Sequence, residues 1–463
     1  MTELSVERTA IPGLLVLRLP VHRDERGWFK ENWQREKMIA LGLPDFAPVQ
    51  NNVSFNASRG ATRGIHAEPW DKLVSVSTGQ VFGAWVDLRE GPTFGATVTQ
   101  LVDESVAVFV PCGVGNSYQA LADDTTYSYL VNAHWHPGVT YPAVHLGDER
   151  LGIEWPIPLA ESEISAKDHA NPRWDDVVPM PRRRPLVLGG TGQIGRALRE
   201  LLPDAIAPTR AELDLSDPAS VAAWDFAAHD VVINAAAYTA VDAAETDDGR
   251  ASAWALNAVG PATLARLARE HQLRLVHYSS DYVFDGTREV HDEDEAPSPL
   301  GVYGQTKAAG DLAVATAPDH LILRTTWVIG EGANFVATMA RLAGDGISPA
   351  VVDDQVGRLS FAQDVAAATV HLLESGAPTG TYDVTNDGDP LTWAALAREV
   401  FAARGRARED VRAITSAEFA ASRPGLTAPR PAHSTLDLTR LTATGFSPRD
   451  HVEALHDWLS RHD

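Results

Sequence analysis

The alternation of hydrophobic and polar positions changes rhythm once along this chain. Up to about residue 155, short runs that alternate or stay apolar sit between Gly, Pro and Asp: 71–77, 81–88, 106–110 and 126–131. Short strands with such turn punctuation predict an all-β sandwich or jelly roll. From Pro185 the order becomes apolar strand, glycine-rich turn and amphipathic helix, with the first predicted helix over 193–202. Strands that alternate with helices predict a parallel sheet covered on both faces. Between the two rhythms, 169–184 is rich in proline and charge and carries no period. The chain is therefore expected to divide into a β domain over 1–175, a linker over 176–184 and an α/β domain over 185–463.

Length agrees with that division, since 463 residues exceed one ordinary core. A hydrophobic share of 44% and a charged share of 22% are those of a globular protein, and no apolar run approaches the roughly 20 residues of a membrane helix. The first residues show no basic region followed by an apolar stretch, so no secretory signal is expected. Cys112 is the only cysteine, which excludes an internal disulfide and suits a reducing cytoplasm. A formal net charge of -23 argues against nucleic acid as a partner, and a nucleotide ligand has to meet local cations. The basic cluster Arg182-Arg183-Arg184 falls at the boundary and reads as a solvated linker.

In the second half, the strand ending at Leu188 is followed by Gly189-Gly190-Thr191-Gly192-Gln193-Ile194-Gly195. Glycines at that spacing let the backbone turn tightly and approach a pyrophosphate at the positive end of the next helix, although a purely structural strand-to-helix turn has the same spacing. The next strand is expected to end near Pro208-Thr209-Arg210, with no acid placed to hold a ribose 2′-hydroxyl. Arg210 is either a partner for a 2′-phosphate, which favours NADPH over NADH, or a solvated loop residue. Apolar strands are expected over 231–237 and 274–280, and Tyr303 and Lys307 share one helical face. A lysine ammonium there lowers the cost of a phenolate, so that a tyrosine hydroxyl can deliver a proton near neutral pH.

These residues carry a resemblance. The chain from about Pro185 onward resembles the dTDP-4-dehydrorhamnose reductases, extended members of the short-chain dehydrogenase/reductase group. The match lies in the glycine turn, Asn234 to Asp242 with Glu245, Ser280-Asp-Tyr-Val-Phe-Asp-Gly286, Tyr303 to Lys307, Arg324-Thr-Thr-Trp-Val328, Asp354-Gln355 and Arg430 to Asp437. It implies a Rossmann-type doubly wound domain with a small C-terminal substrate-binding subdomain. It further implies that Ser280 polarises a C4 ketone, Tyr303 protonates its oxygen, Lys307 supports Tyr303, and a nicotinamide delivers hydride. Gly189, Gly192, Gln193, Ile194, Gly195, Ala235, Ala236 and Ala237 would hold the cofactor, with Asp214 facing the adenosine. Val241, Asp281, Tyr282 and Trp327 would line the sugar site. The family usually has threonine where Ser280 stands, and a proline and threonine where this chain has Leu359 and Ser360.

In the first half, Arg63-Gly-Ile-His66 precedes a predicted strand that carries Lys72. A lone histidine beside an arginine is, taken by itself, better explained as a hydrogen-bonded core or edge residue than by catalysis. Residues 1 to about 175, however, resemble the dTDP-4-dehydrorhamnose 3,5-epimerases, which are cupin-fold dimers. The match lies in Asp24-Glu-Arg-Gly-Trp-Phe29, Gln50-Asn-Asn-Val-Ser54, Arg63-Gly-Ile-His66, Val86-Asp-Leu-Arg89, Pro92-Thr-Phe-Gly95, Trp155-Pro156 and Ser165-Ala-Lys-Asp168. Protons on C3 and C5 are acidified by a C4 ketone, so a base on one face and an acid on the other invert a centre through an enolate. The resemblance makes His66 the base, Asp168 its orienter, Tyr129 the acid and Lys72 the group that stabilises the enolate oxygen. Arg26, Phe29, Gln50, Asn52 and Arg63 would hold the nucleotide diphosphate.

This half also departs from its family. Gly115-Asn116-Ser117-Tyr118 stands where Ala-His-Gly-Phe is common, Trp135 replaces a tyrosine, and His66-Ala-Glu-Pro-Trp70 lacks the usual glutamine after the histidine. His134 and His136 could share a strand face toward a metal, but no third and fourth ligand is evident, so no metal is expected. The expectation for the whole chain is a fused, cytoplasmic, bifunctional enzyme acting on a dTDP-4-dehydro-6-deoxyhexose, dimeric through its cupin half, with the second active site kept close to the first product. The open alternatives are a cupin half that only binds or dimerises, a cofactor-binding regulatory second half, another deoxyhexose product, or a uridine nucleotide.

Overall fold

The computed structural model describes residues 3–135, 138–422 and 425–462. The chain forms two compact units, Met1–Arg182 and Arg183–Asp463.

The first unit is built from strands β1 (Ser5–Arg8), β2 (Leu15–Arg18), β3 (His22–Asp24), β4 (Gly27–Phe29), β5 (Gln50–Asn56), β6 (Ala61–His66), β7 (Lys72–Thr78), β8 (Val81–Asp87), β9 (Thr97–Val102), β10 (Val106–Val110), β11 (Val114–Ala120), β12 (Thr125–Val131), β13 (Ala143–Val144) and β14 (Glu163–Ile164). One sheet runs β1-β2-β10-β7-β12-β5, and a second runs β13-β6-β11-β8-β9 with β14 beside β6. Val74, Val76, Trp85, Val108, Val110, Tyr118 and Tyr127 fill one core cluster that draws on both sheets. The run 106–110 is apolar throughout because both faces of β10 are covered. The alternate residues Ala107 and Phe109 pack against Met38 of helix α1 (Arg35–Ala40) and against Leu43 and Phe46. The one-turn helix α2 (Ala166–His169) follows β14 and buries Asp168.

The second unit has a parallel sheet ordered β15 (Leu186–Leu188), β16 (Val231–Asn234), β17 (Arg274–Ser280), β18 (His320–Thr325) and then the strand Gly380–Asp383. Helix α3 (Gln193–Leu201) and the helix Ala362–Glu374 bury Leu198, Val365 and Leu372 on one face with Val187, Ile233 and Val276. Short helices α4 (Pro218–Ala222) and α5 (Asp247–Trp254) lie in the connections, and α6 (Gly260–His271) and α7 (Val302–Val314) cover the other face through Leu264, Ala268 and Val314. Strands buried on both faces read as unbroken apolar runs, which is why this sheet was legible.

Two expectations are corrected. No strand ends at 208–210: Leu186 makes only an isolated bridge to Ile206, and the N–H and hydroxyl of Thr209 turn back onto Glu212. The stretch 231–237 stops being a strand at Asn234, whose side-chain oxygen accepts from the Ala236 N–H and bends the chain out of the sheet. A separate C-terminal core of Val336, Met339, Val400, Phe401, Leu455 and Trp458 joins the helices Phe335–Gly344, Trp393–Ala403 and His451–Arg461. No helix among the described residues is long and apolar enough to cross a membrane.

Candidate active sites

In the first unit, β6 ends on His66, whose Nε2 stands 2.9 Å from Oδ1 of Asp168. Ser165 caps α2 by accepting the Asp168 N–H at 3.1 Å, and its hydroxyl donates to the other carboxylate oxygen at 2.9 Å. Burial works to raise the Asp168 carboxyl, but the hydrogen bonds from His66 and Ser165 prevail and hold it at about 2. The close approach needs Gly64: a Cβ there would lie 2.3 Å from Asp168 Oδ1 and 2.8 Å from His66 Nε2. His66 and Asn116 are register partners, so their side chains leave the sheet on the same side. Asn116 accepts from Trp85 Nε1 at 2.9 Å and from the Tyr127 hydroxyl at 3.1 Å, which identifies that side as the interior between the sheets.

The opposite sheet supplies Tyr129 on β12, packed against the same interior, and Lys72 at the start of β7. Lys72 Nζ lies 5.8 Å from the centre of the Tyr129 ring and forms an ion pair with Glu68. Burial takes the lysine down to about 7 and raises the Tyr129 hydroxyl. Tyr141 tilts against His66 at 5.7 Å and also acts electrostatically on Tyr129, which joins the two sides. Gln50 donates to Asn52 at 2.8 Å on β5, and Arg63 reaches Ser54 of that strand at 3.1 Å. Arg26 and Phe29 are not brought to this group: they sit on the β3–β4 hairpin, where Arg26 pairs with Asp24 and Phe29 stacks on His22. His136 lies outside the described residues. Tyr141 escaped the sequence reading, and Glu68 and Gly64 were given no catalytic or positioning role there, since each acts through approach in space. Only Ser165 left a local signal, the cap spacing before Asp168.

In the second unit, Gly189 has φ +75°, and a Cβ on it would lie 2.6 Å from the Ala236 N–H nitrogen. A Cβ on Gly195 would lie 2.2 Å from Gly189 O. Gly192 caps α3 without a side-chain hydrogen bond, which leaves the N–H groups of the first turn, at Gln193, Ile194 and Gly195, directed outward for an anion. Ala235 and Ala236 flank this turn, and the Ala235 N–H donates to Leu188 O, with Ala237 next in the chain. These features fit a dinucleotide pyrophosphate. Arg210, three-quarters exposed, donates to Asp214 at 3.0 Å and approaches Ser216 at 3.3 Å.

Ser280 ends β17, while Tyr303 and Lys307 lie one turn apart on α7. The Ser280 hydroxyl donates to Asp281 at 2.9 Å and accepts from the Tyr282 N–H at 3.2 Å. Burial pushes the Tyr303 hydroxyl up to about 12 against a hydrogen bond with Ser280. The effect of burial therefore exceeds the lowering that the Tyr-Lys spacing implied. Lys307 donates to Tyr278 O and lies 3.4 Å from His277 Nε2, and burial lowers it to about 8 against the charge of Asp311. Asn257, in the π-turn between α5 and α6, binds the N–H and C=O of Tyr238 and the Thr306 hydroxyl, fixing the loop after β16 to the helix that carries Tyr303. Sequence reasoning missed it.

Tyr282 meets Tyr303 edge-on at 5.6 Å, and Val241 lines the cleft beside them. Next to Tyr282 opens a cavity of about 760 Å³ whose walls include Phe335, Met339, Gln355, Trp393 and Arg430. Trp327, at φ +43°, stacks on Trp393 at 3.7 Å. Leu359 is buried in the C-terminal core and the Ser360 N–H donates to Trp327 O, so the family departure at these positions lies behind the tryptophan. Asp242 pairs with Arg430 at 2.8 Å and Glu245 caps α7 through the Val302 N–H, which explains why both acids belong to the motif.

Residues 8–176 match the family model for dTDP-4-dehydrorhamnose 3,5-epimerase, and residues 183–463 match that for the RmlD substrate binding domain. A protein RmlC homolog of Streptococcus pyogenes is 48% identical over 177 residues, covering 37% of this chain and 89% of that protein. A dTDP-4-dehydrorhamnose reductase of Streptomyces griseus is 42% identical over 290 residues, covering 60% of this chain and 92% of that protein. The chain belongs to both families. The fold of its reductase unit is shared with the crystal structure of dTDP-4-dehydrorhamnose reductase from Bacillus anthracis in complex with NADP, at 30% identity and a TM-score of 0.55 over 61% of this chain and all of that one. Epimerase and reductase units thus follow one another in a single polypeptide.

Proposed function

We propose that the chain converts dTDP-4-dehydro-6-deoxyglucose to dTDP-L-rhamnose, with residues 1–175 inverting C3 and C5 and residues 185–463 then reducing the C4 ketone. The observation that carries the reading is the presence of two complete proton-transfer sets in one chain. One is His66 with Asp168, facing Tyr129 and Lys72. The other is Ser280 with Tyr303 and Lys307.

In the epimerase unit His66 takes the proton from carbon, Asp168 fixes the ring and balances the imidazolium, and Lys72 meets the developing enolate oxygen. Tyr129 returns a proton to the opposite face. Gln50, Asn52 and Arg63 bind the nucleotide diphosphate, whereas Arg26 and Phe29, apart from them on the β3–β4 hairpin, do not contribute from within the same copy of the chain. In the reductase unit Ser280 donates to the ketone oxygen and Tyr303 gives it a proton, while Lys307 favours the phenolate left behind. A bound nicotinamide supplies the hydride. The turn of Gly189, Gly192 and Gly195 with Gln193 and Ile194 would hold the pyrophosphate of a bound dinucleotide, with Ala235, Ala236 and Ala237 as further cofactor contacts and Asp214 as a partner for the adenosine. Arg210 can leave Asp214 for a 2′-phosphate, which together with the NADP of the Bacillus anthracis reductase favours NADPH. Val241, Asp281, Tyr282 and Trp327 line the sugar site. The epimerase unit forms a homodimer, supported by the exposed Val53 and Phe55 on the edge strand β5.

The test supplies purified protein with dTDP-4-dehydro-6-deoxyglucose and NADPH, follows cofactor oxidation and identifies the sugar by NMR. Formation of dTDP-L-rhamnose without added epimerase is expected. Oxidation that yields an unepimerised sugar, or that waits for a separate epimerase, would restrict the proposal to the reductase unit.

A further inference from the structure

We propose that Glu68 is the counter-ion that favours the charged form of Lys72 between the two sheets, and so sets how far the pH can rise before the epimerase unit ceases to stabilise an enolate. The inference rests on the epimerisation proposed above.

Glu68 lies two residues after His66. It lies in the connection between β6 and β7, anchored by the Gly113 N–H donating to its carbonyl at 3.1 Å. Its carboxylate and the Lys72 ammonium form an ion pair in which the side chains are only 15% and 6% exposed. The neighbouring acid, Asp71, is occupied: one oxygen accepts from the Cys112 N–H at 2.8 Å and the other from Asn132 Nδ2 at 2.9 Å. The register partners of Lys72 are Val110 on β10 and Val131 on β12, both apolar. The titratable groups on the surrounding elements are Tyr129 on β12, with its ring 5.8 Å from Nζ, and on β6 and α2 the His66–Asp168 pair, already engaged with each other. Glu68 is therefore the acid that meets Lys72 among the described residues.

The chemistry needs that cation. When His66 removes a proton from C3 or C5, the C–H electron pair moves toward C4 and negative charge collects on the ketone oxygen. Tyr129 then protonates the opposite face and the ketone is restored, so no group is consumed. A lysine buried without a partner gives up its proton readily, and burial lowers Lys72 to about 7 even with Glu68 beside it. An adjacent carboxylate opposes that loss, and its removal leaves a buried charge uncompensated. Because the ammonium is the useful form, losing it slows the reaction as pH rises. Glu68 does not touch the substrate in this scheme; it is a positioning residue that acts through Lys72.

The full chain is incubated with dTDP-4-dehydro-6-deoxyglucose in D₂O without nicotinamide, and deuterium entry at C3 and C5 is followed by NMR between about pH 5 and about pH 9. Calorimetric binding of dTDP reports that each variant is folded. The parent is expected to lose rate as pH rises through about 7, approaching tenfold per pH unit, Glu68→Gln to begin that loss at a lower pH, and Glu68→Asp, which keeps the charge, to retain the parent's profile. A Glu68→Gln profile that falls at the same pH as the parent's, whether at full rate or uniformly reduced, would overturn the proposal. A parent that admits no deuterium at any pH would instead remove the epimerase reading, and this proposal with it.

Discussion

At Gly64 a single absent methyl group decides whether His66 and Asp168 can meet. An alanine Cβ would occupy the space that the carboxylate now fills, 2.3 Å from its oxygen. Gly64→Ala is expected to lower deuterium exchange at C3 and C5 roughly 10²–10⁴-fold, the usual contribution of a positioned base, while NADPH oxidation with pre-epimerised substrate stays unchanged. Equal exchange in parent and variant would show that the dyad is not needed. Asp281 offers a different trade. It is 2% exposed, and burial raises its carboxyl to about 6 despite hydrogen bonds from Ser434, Ser280 and Thr326. A folded-state value above the unfolded one means that the folded protein binds the proton more tightly, so stability falls as pH rises from about 4 to about 6 and the cost persists above that, at most roughly 3 kcal/mol. Asp281→Asn is therefore expected to raise the unfolding temperature of the reductase unit at pH 7 to 8, with the gain disappearing below about pH 4, and to lower kcat because Ser280 then donates to an uncharged, weaker acceptor. Thermal unfolding followed across pH checks the first half, and steady-state kinetics the second.

The elements that could be read from sequence were those whose pattern their own burial dictates. The run 274–280 is a strand from end to end because α7 and the Ala362 helix cover both its faces, and Tyr303 and Lys307 followed from simple helical spacing. The failures have local causes. Thr209 turns onto Glu212 in place of a strand, and Asn234 spends its oxygen on the Ala236 N–H. Candidate-site residues divide in the same way. Tyr129 and Lys72 lie in strands that the pattern predicts and His66 was marked only by its motif, whereas the partners Glu68, Asn257 and Tyr141 exert their effect from connections or from a π-turn, where no periodicity marks them. Strand β5 poses the question of assembly. It is the edge of its sheet and presents Val53 and Phe55, 64% and 59% exposed, along the outward face. An edge with apolar residues is a template for a second copy unless a charge interrupts it. Replacing Phe55 by Lys is expected to shift the full chain from dimer to monomer in sedimentation velocity, with NADPH oxidation on pre-epimerised substrate preserved. A dimer that persists in the variant would locate the interface elsewhere.

For the whole molecule, the issue is what the fusion contributes. Met180 still belongs to the first unit, exchanging hydrogen bonds with Leu88 and Glu90, whereas the Arg184 N–H already donates to Ala228 of the second. The crossover therefore falls between these residues, and each unit keeps its own core. Cutting between Arg182 and Arg183 is expected to give two soluble, active halves. A short tether produces an effective concentration of about 1 mM, and at a typical association rate of ~10⁶ M⁻¹s⁻¹ capture of a released intermediate takes about a millisecond. A sugar nucleotide diffuses beyond the dimensions of one protein long before that. Equimolar halves should then show the same lag before NADPH oxidation reaches steady state as the intact chain at equal concentration, and the tether would serve mainly to keep the two activities at one-to-one stoichiometry. A lag that is shorter in the intact chain, and that persists when a competing reductase is added in excess, would mean that the epimerised ketone passes between the sites without being released.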